Sequence, residues 1–286
     1  MRVSYLGPTG TYNEEALLES VAGREIERAP QATIVDAINA VEAGEVDRGL
    51  VPFENSIEGS VRSALDAIAF DTERVRIVGE RDHPIRHSLI ARTELRIEEI
   101  EVVLSHPQAN AQCARFIRER LPGAEVRSSA STSDAVRQVS ESNGRWAALG
   151  SGSAAAAFGC LVLMEGVEDS SDNVTRFVWL AAEGEVEPQD DWNGPWRTTL
   201  AFSELGDDHP GALVDALYEF SNRGINLTRI ESRPLRSGLG RYLFFIDVDG
   251  DAGTGMTAEA VAALRGKAET VRVFGSYPLG GPPPIA

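Results

Sequence analysis

Over roughly the first 180 residues short apolar runs alternate with helical patterns. That alternation constrains the chain to an α/β layout, because each strand must have its faces covered by the helices on either side of it. Residues 2–7 read as a strand, 13–22 as a helix, and 34–42 as a second helix with Thr33 as its N-cap. Residues 48–53 form a buried strand, and 60–70 a helix with Leu65, Ile68 and Ala69 on its apolar side. Residues 75–79 and 88–91 are strand-like, with His83-Pro84-Ile85 as the crossing between them. A strand at 102–104, a helix at 108–121 and a strand at 125–128 come next, and Thr132-Ser133-Asp134 opens a helix to about residue 140. Residues 146–149, 153–158 and 174–181 close the series as strand, helix and strand.

The acidic, aperiodic stretch 183–194, with its proline, reads as a linker. Beyond it the pattern becomes one unit: strand 198–203, helix 210–223, strands 225–231 and 241–248, helix 257–267, strand 271–274. That is βαββαβ, the ferredoxin-like order. Gly280-Gly281-Pro282-Pro283-Pro284 reads as a disordered tail.

The net charge is −17, and Lys267 is the one lysine among 27 basic residues. Residues 1–196 hold 18 basic against 33 acidic groups, net −15; residues 197–286 hold 9 against 11, net −2. Such a surface repels phosphates, which excludes nucleic acid and anionic membranes as partners. Cys113 and Cys160 cannot make a disulfide framework and read as small buried hydrophobes of a reducing cytoplasm. No secretory signal is visible, so Asn173-Val174-Thr175 is not read as a glycosylation acceptor.

Four polar segments stand where chemistry would sit: Gly7-Pro8-Thr9-Gly10-Thr11-Tyr12, Val51-Pro52-Phe53-Glu54-Asn55-Ser56-Ile57-Glu58-Gly59-Ser60-Val61, Ser105-His106-Pro107-Gln108, and Asn173-Val174-Thr175-Arg176-Phe177. The first and third join a strand to a helix, where orphan backbone N–H groups and the helix dipole attract anions. His83 and His87 are separated by a proline and lack a third ligand in range, so a metal site is not expected. The candidates are hydroxyls, amides and one arginine. They can position and hydrogen-bond a small anion but cannot do strong acid–base work.

Taken in this order, the four segments resemble prephenate dehydratase over essentially the whole chain. The resemblance implies a two-lobed catalytic domain over 1–182, similar to type II periplasmic solute-binding proteins, with lobes at 1–79 plus 173–182 and at 80–172. A linker at 183–196, an ACT regulatory domain at 197–278 and a tail at 279–286 would follow. It implies a monofunctional enzyme that makes phenylpyruvate from prephenate without a cofactor. In the family pattern Thr175 donates to the leaving hydroxyl, while Arg176 and the loop around Thr11 hold carboxylate. Asn55, Ser56, Ser105 and Gln108 orient the substrate, and Phe177 packs the wall.

Gly211-Ala212-Leu213-Val214 and Glu231-Ser232-Arg233-Pro234 match the two ACT signatures, with Asn226 beside them, and imply an inhibitory L-phenylalanine site shared between two copies in a homodimer or homotetramer. Arogenate as substrate, or a non-catalytic cytoplasmic sensor of aromatic amino acids, are the alternatives. Asn13, Asn110 and Phe158-Gly159-Cys160 depart from the usual family residues.

The carboxylate excess also points to a high-salt cytoplasm, where dense salt screens self-repulsion. The chain should therefore melt higher in molar KCl than in dilute buffer. Equal melting temperatures would contradict the halophilic reading.

Overall fold

The structure, a computed structural model, describes residues 1–184, 192–205 and 210–281. In the first lobe the apolar β1 (Arg2–Leu6) feeds α1 (Tyr12–Val21), whose N-cap Thr11 accepts from the Glu14 amide. β2 (Glu27–Gln31), α2 (Ile34–Glu42, capped by Thr33) and β3 (Arg48–Asn55) follow. The two-residue β4 (Gly59–Ser60) folds back on β3, and α3 (Arg62–Asp66) continues into a π turn at Ala67–Asp71 before β5 (Val75–Pro84). β2 has no apolar alternation to announce it. It is an edge strand held by its parallel ladder with β1, and the edge is where Pro30 can be tolerated.

The second lobe holds β6 (Ser88–Ala91), β7 (Val102–Ser105), α4 (Pro107–Gln112), α5 (Ala114–Arg120), β8 (Glu125–Ser128) and α6 (Thr132–Glu141). β9 (Trp146–Gly150), α7 (Gly152–Ala157) and β10 (Leu161–Met164) complete it. The helix expected over 108–121 is two helices, broken at Cys113, where φ is −113° and ψ 19°. The Cys113 thiol is buried, and burial pushes its pKa up to about 12, so it stays a neutral packing group.

β11 (Val174–Ala182) then returns to the first lobe and inserts between β3 and β5, antiparallel to both, giving the order β2-β1-β3-β11-β5. The second sheet runs β10-β6-β9-β7-β8. β5 continues to Pro84 instead of stopping at residue 79, because its charged end pairs with β11 from Val178↔Glu80 to Val174↔Pro84. Backbone ladder, not side-chain pattern, carries that extension.

The C-terminal unit is β12 (Trp196–Ser203), α8 (Ala212–Ser221), β13 (Leu227–Pro234), β14 (Tyr242–Asp249), α9 (Gly255–Leu264) and β15 (Thr270–Pro278), a ferredoxin-like sheet ordered β13-β14-β12-β15. Half of the linker expected at 183–196 and most of the tail at 279–286 lie outside the described residues (185–191 and 282–286).

Along β14, Phe244, Ile246 and Val248 face the unit's own helices, whereas Leu243 and Phe245 face the first lobe. There they join Val178, Leu180, Leu65 and Tyr277 in one continuous core. The C-terminal sheet is therefore docked with both faces covered. β15 runs so close to β5 that a Cβ on Gly275 would collide with the Ile77 carbonyl. Gly275→Ala should cost about 1–3 kcal/mol, as overpacking does. A thermal melt indistinguishable from the parent would contradict the tight dock.

Candidate active site

Neighbouring residues of a strand point to opposite faces. On β11 this puts Thr175 and Phe177 on the side of α1, and Arg176 on the side of the C-terminal sheet. Between the lobes, on the Thr175 side, a cleft of about 300 Å³ opens. The first lobe contributes Thr11, Tyr12, Asn13, Asn55, Thr175 and Phe177. The second contributes His87, His106, Gln108, Gln112, Ser131 and Thr132, and Asn173 stands at the crossing. None of the lining residues is Arg, Lys, Asp or Glu. Anion capture here falls to backbone N–H groups at the starts of α1 and α6 and to side-chain amides.

A chain of hydrogen bonds organises the floor. Asn55 Nδ2 donates to Thr175 Oγ1 (2.9 Å) and to Asn173 Oδ1 (2.8 Å), while Asn55 Oδ1 accepts from the Ile57 and Glu58 amides (3.0 Å each). Asn173 Nδ2 donates to Gln112 Oε1 (2.9 Å), which lies 3.0 Å from His87 Nε2. The imidazole therefore donates from Nε2, and its Nδ1 lies 2.7 Å from the Tyr12 hydroxyl, whose one proton is shared between that nitrogen and the Arg86 carbonyl at 2.8 Å. Two consequences follow. Asn55 has both N–H groups engaged, so it serves the cleft by fixing Thr175. The Thr175 oxygen already accepts a hydrogen bond, which leaves its O–H to donate into the cleft. Gln112 Nε2 is buried and has no hydrogen-bond partner.

Other expected residues fall elsewhere. Gln108 lines the cleft, its amide held by the His106 side chain that caps α4 (3.3 Å). Thr11 lines it through the loop, but its hydroxyl is spent on capping α1 and on the Leu6 carbonyl (3.0 Å). Ser56 is not at the cleft: its hydroxyl donates to the Asp172 carbonyl (2.8 Å) and accepts from the Val174 amide (3.0 Å), stapling two loops. Ser105 is fully buried and donates to the Leu149 carbonyl (2.6 Å), clipping β7 to β9.

Arg176 is the main correction. Its guanidinium reaches Asp247 of β14 (2.6 Å), Glu54 (2.9 Å) and Glu80 (3.4 Å) and lies over the Phe53 ring. It cannot hold a substrate carboxylate in the cleft, because strand alternation turns it away. Asp247 is fully buried; burial alone would raise its pKa, but Arg229 and Arg176 hold it well below the usual carboxylate range. Glu80, by contrast, is raised, because burial outweighs Arg197 and Arg176.

The nine residues expected at the effector site are not gathered into one pocket by a single chain. Gly211 caps α8 at φ 101°, and Ala212 and Leu213 border a surface hollow with Leu235, Tyr242 and Phe244. Val214, Asn226, Ser232 and Pro234 are exposed. Glu231 accepts from the Ser60 hydroxyl (3.3 Å), and Arg233 grips Asp66 with two bonds of 2.8 Å.

Sequence reasoning missed Tyr12, His87, His106, Gln112, Ser131, Thr132 and Asn173. Tyr12, His106 and Asn173 stood inside the quoted segments, and Gln112 lies one helical turn beyond Gln108. His87 carried no signal until β6 placed it opposite Tyr12.

Residues 3–185 match the family model for prephenate dehydratase, and residues 205–266 that for the ACT domain. The chain belongs to the prephenate dehydratase family. The prephenate dehydratase of Mycobacterium tuberculosis (strain ATCC 25618 / H37Rv) is 38% identical over 288 residues, covering 98% of this chain and 88% of that one. The crystal structure of prephenate dehydratase from Arthrobacter aurescens in complex with L-Phe superposes with a TM-score of 0.89 at 37% identity, covering 100% of this chain and 92% of that one. A protein described as a novel type of quorum quenching acylase shares the fold with a TM-score of 0.83 at 28% identity, over 97% of this chain and 98% of that one.

The two buried histidines should titrate in opposite directions. Burial disfavours the charged form of His83, but hydrogen bonds and charges of Glu15 and Glu19 outweigh it and raise its pKa above 6.5. His87 is lowered by burial, only partly offset by Gln112 and Glu168. The stabilisation from His83 is complete below pH ~6.5 and is lost as pH rises through its raised pKa, whereas His87 costs stability as pH falls from ~6.5 toward its lowered pKa. NMR titration of the imidazole protons checks this; His87 titrating above His83 would contradict it.

Proposed function

We propose that this chain converts prephenate to phenylpyruvate, carbon dioxide and water, and that L-phenylalanine inhibits it through the ACT unit. The observation that carries the reading is the Thr175 hydroxyl at the cleft floor, its oxygen held by Asn55 so that its O–H is left to donate into the cleft. In prephenate the bond to the ring carboxylate and the bond to the ring hydroxyl must break together. The electron pair released with carbon dioxide completes the aromatic ring, and the hydroxide leaves from the opposite carbon. Aromatisation supplies the driving force. The protein's task is to hold the carboxylate bond aligned with the diene and to stabilise charge growing on the departing oxygen.

A neutral hydroxyl donor suits that oxygen: it hydrogen-bonds the departing hydroxide without giving up its own proton, and the proton that turns hydroxide into water comes from solvent. On this reading Gln108, Gln112 and the N-terminal amides of α1 and α6, which line the cleft, bind the two carboxylates, and Phe177 packs against the ring. An acylase reading finds no support in the cleft, where no serine or cysteine side chain bonds a histidine among the described residues.

Exposed Val214 and Tyr218 on α8, with Ile230 and Tyr242, favour assembly of two or more copies and an effector site shared between them. Among the described residues no helix is long and apolar enough to cross a membrane, and a cytoplasmic, salt-rich setting fits the chain's acidity.

Phenylpyruvate formation from prephenate, with and without L-phenylalanine, tests the reading. Turnover that falls with L-phenylalanine is expected. Thr175→Ala should lower kcat on the order of 10²–10³-fold, the cost of losing one donor to a developing oxyanion. Turnover of arogenate alone would replace the substrate, and loss of less than a few-fold in Thr175→Ala would remove Thr175 from the chemistry.

A further inference from the structure

The fully buried Asp247 carboxylate joins two domains. On the side of its own sheet it accepts from Arg229 Nε (2.8 Å) and Nη2 (3.1 Å) and from the Thr199 hydroxyl (2.8 Å). On the side of the first lobe it accepts from Arg176 Nη2 (2.6 Å). Buried ion pairs are poor devices for stability alone, because desolvation offsets most of the attraction. The placement of the charge therefore calls for another account.

Arg176 follows Thr175 directly, and the pairing of β11 with β3 breaks register just after it. Thr175 faces Asn55 and Arg176 faces Glu54, but Phe177 faces Pro52, so Phe53 is the extra residue of a bulge. The Phe53 ring lies beneath both guanidiniums, 5.5 Å from Arg176 and 4.8 Å from Arg229. At that bulge the ladder with β3 is interrupted and does not by itself hold Arg176 in register, while on its other side β11 stays paired with β5 from Val174↔Pro84 to Trp179↔Gly79. The clamp of Arg176 between Asp247 and Glu54 supplies the constraint that the β3 side lacks, one residue from the hydroxyl in the cleft.

We propose that Asp247, although it belongs to the ACT unit and lies outside the cleft, is a positioning residue of the dehydratase: by holding Arg176 it fixes β11 where it faces the bulge of β3, and with it the aim of the Thr175 hydroxyl. The inference rests on the dehydratase reading. It makes the regulatory unit part of the working active site, and it gives Arg176 a role that its position permits.

The test is steady-state turnover of prephenate by the full chain in three variants. Asp247→Asn removes the charge at the centre. Arg176→Gln removes it on the catalytic side while leaving Asp247 paired with Arg229 and Thr199, so it keeps the test alive if the first variant does not fold. Asp66→Asn breaks the other ion pair of the same interface, with Arg233 and Arg236, away from Thr175.

The first two variants should lose on the order of a hundredfold in kcat, the scale of a misplaced catalytic group, with KM within about threefold. Arg176→Lys should recover part of the loss, because an ammonium can still reach the carboxylate. Asp66→Asn should keep kcat within about twofold even if it melts earlier. Retained kcat in Asp247→Asn and Arg176→Gln would overturn the proposal, and so would an equal fall in Asp66→Asn, which would mark general loosening of the interface. Failure of the parent chain to consume prephenate would instead overturn the dehydratase reading.

Discussion

The rest of the structure turns on one buried carboxylate. Asp247 sits in the alternation of β14 where an apolar residue belongs, and three donors from two domains converge on it. Around it the C-terminal sheet closes over the first lobe through Phe245, Phe274, Tyr277 and Leu243. The apolar contact supplies the attraction, being proportional to the area removed from water. The charge supplies register, since a buried guanidinium–carboxylate pair tolerates little displacement. β11 is the strand that feels both, with its ACT-facing residues in this interface and Thr175 and Phe177 on the other face.

On that other face the cleft works without fixed charge. A domain carrying net −15 repels a dianion at long range, and no lining side chain is a permanent cation. Capture therefore depends on dipoles that line the cleft: the first amides of α1 and α6, Gln108 and Gln112. A neutral, pre-aimed site costs no reorganisation when charge moves from carboxylate to leaving oxygen. Its affinity should rise as salt screens the surrounding field.

Much of this was legible in the sequence, for identifiable reasons. Strands such as 88–91 and 125–128 and caps such as Thr33 are local, and pattern and spacing suffice to place them. β2, β10 and the far end of β5 were not legible, because tertiary pairing rather than hydrophobic alternation makes them strands. At the site, motif membership led to Thr175, Asn55 and Gln108 but could not say which way each side chain turns. Ser56, Ser105 and Arg176 belong to the same motifs and serve the frame instead. For Arg176 the strand period alone would have given the answer, since Thr175 and its neighbour cannot face one cleft. The clamp at Asp247 needed the fold, because residues 176 and 247 meet only when the second unit docks.

If Asp247 acts solely by aiming the Thr175 hydroxyl, its substitution must lose its effect once that hydroxyl is gone. The most direct measurement is kcat for Asp247→Asn made in a Thr175→Ala background, set against the two single variants and the parent. The account predicts that the double variant turns over within about twofold of Thr175→Ala alone, as for groups that act as one unit. Multiplicative losses, with Asp247→Asn costing as much without the hydroxyl as with it, would contradict it.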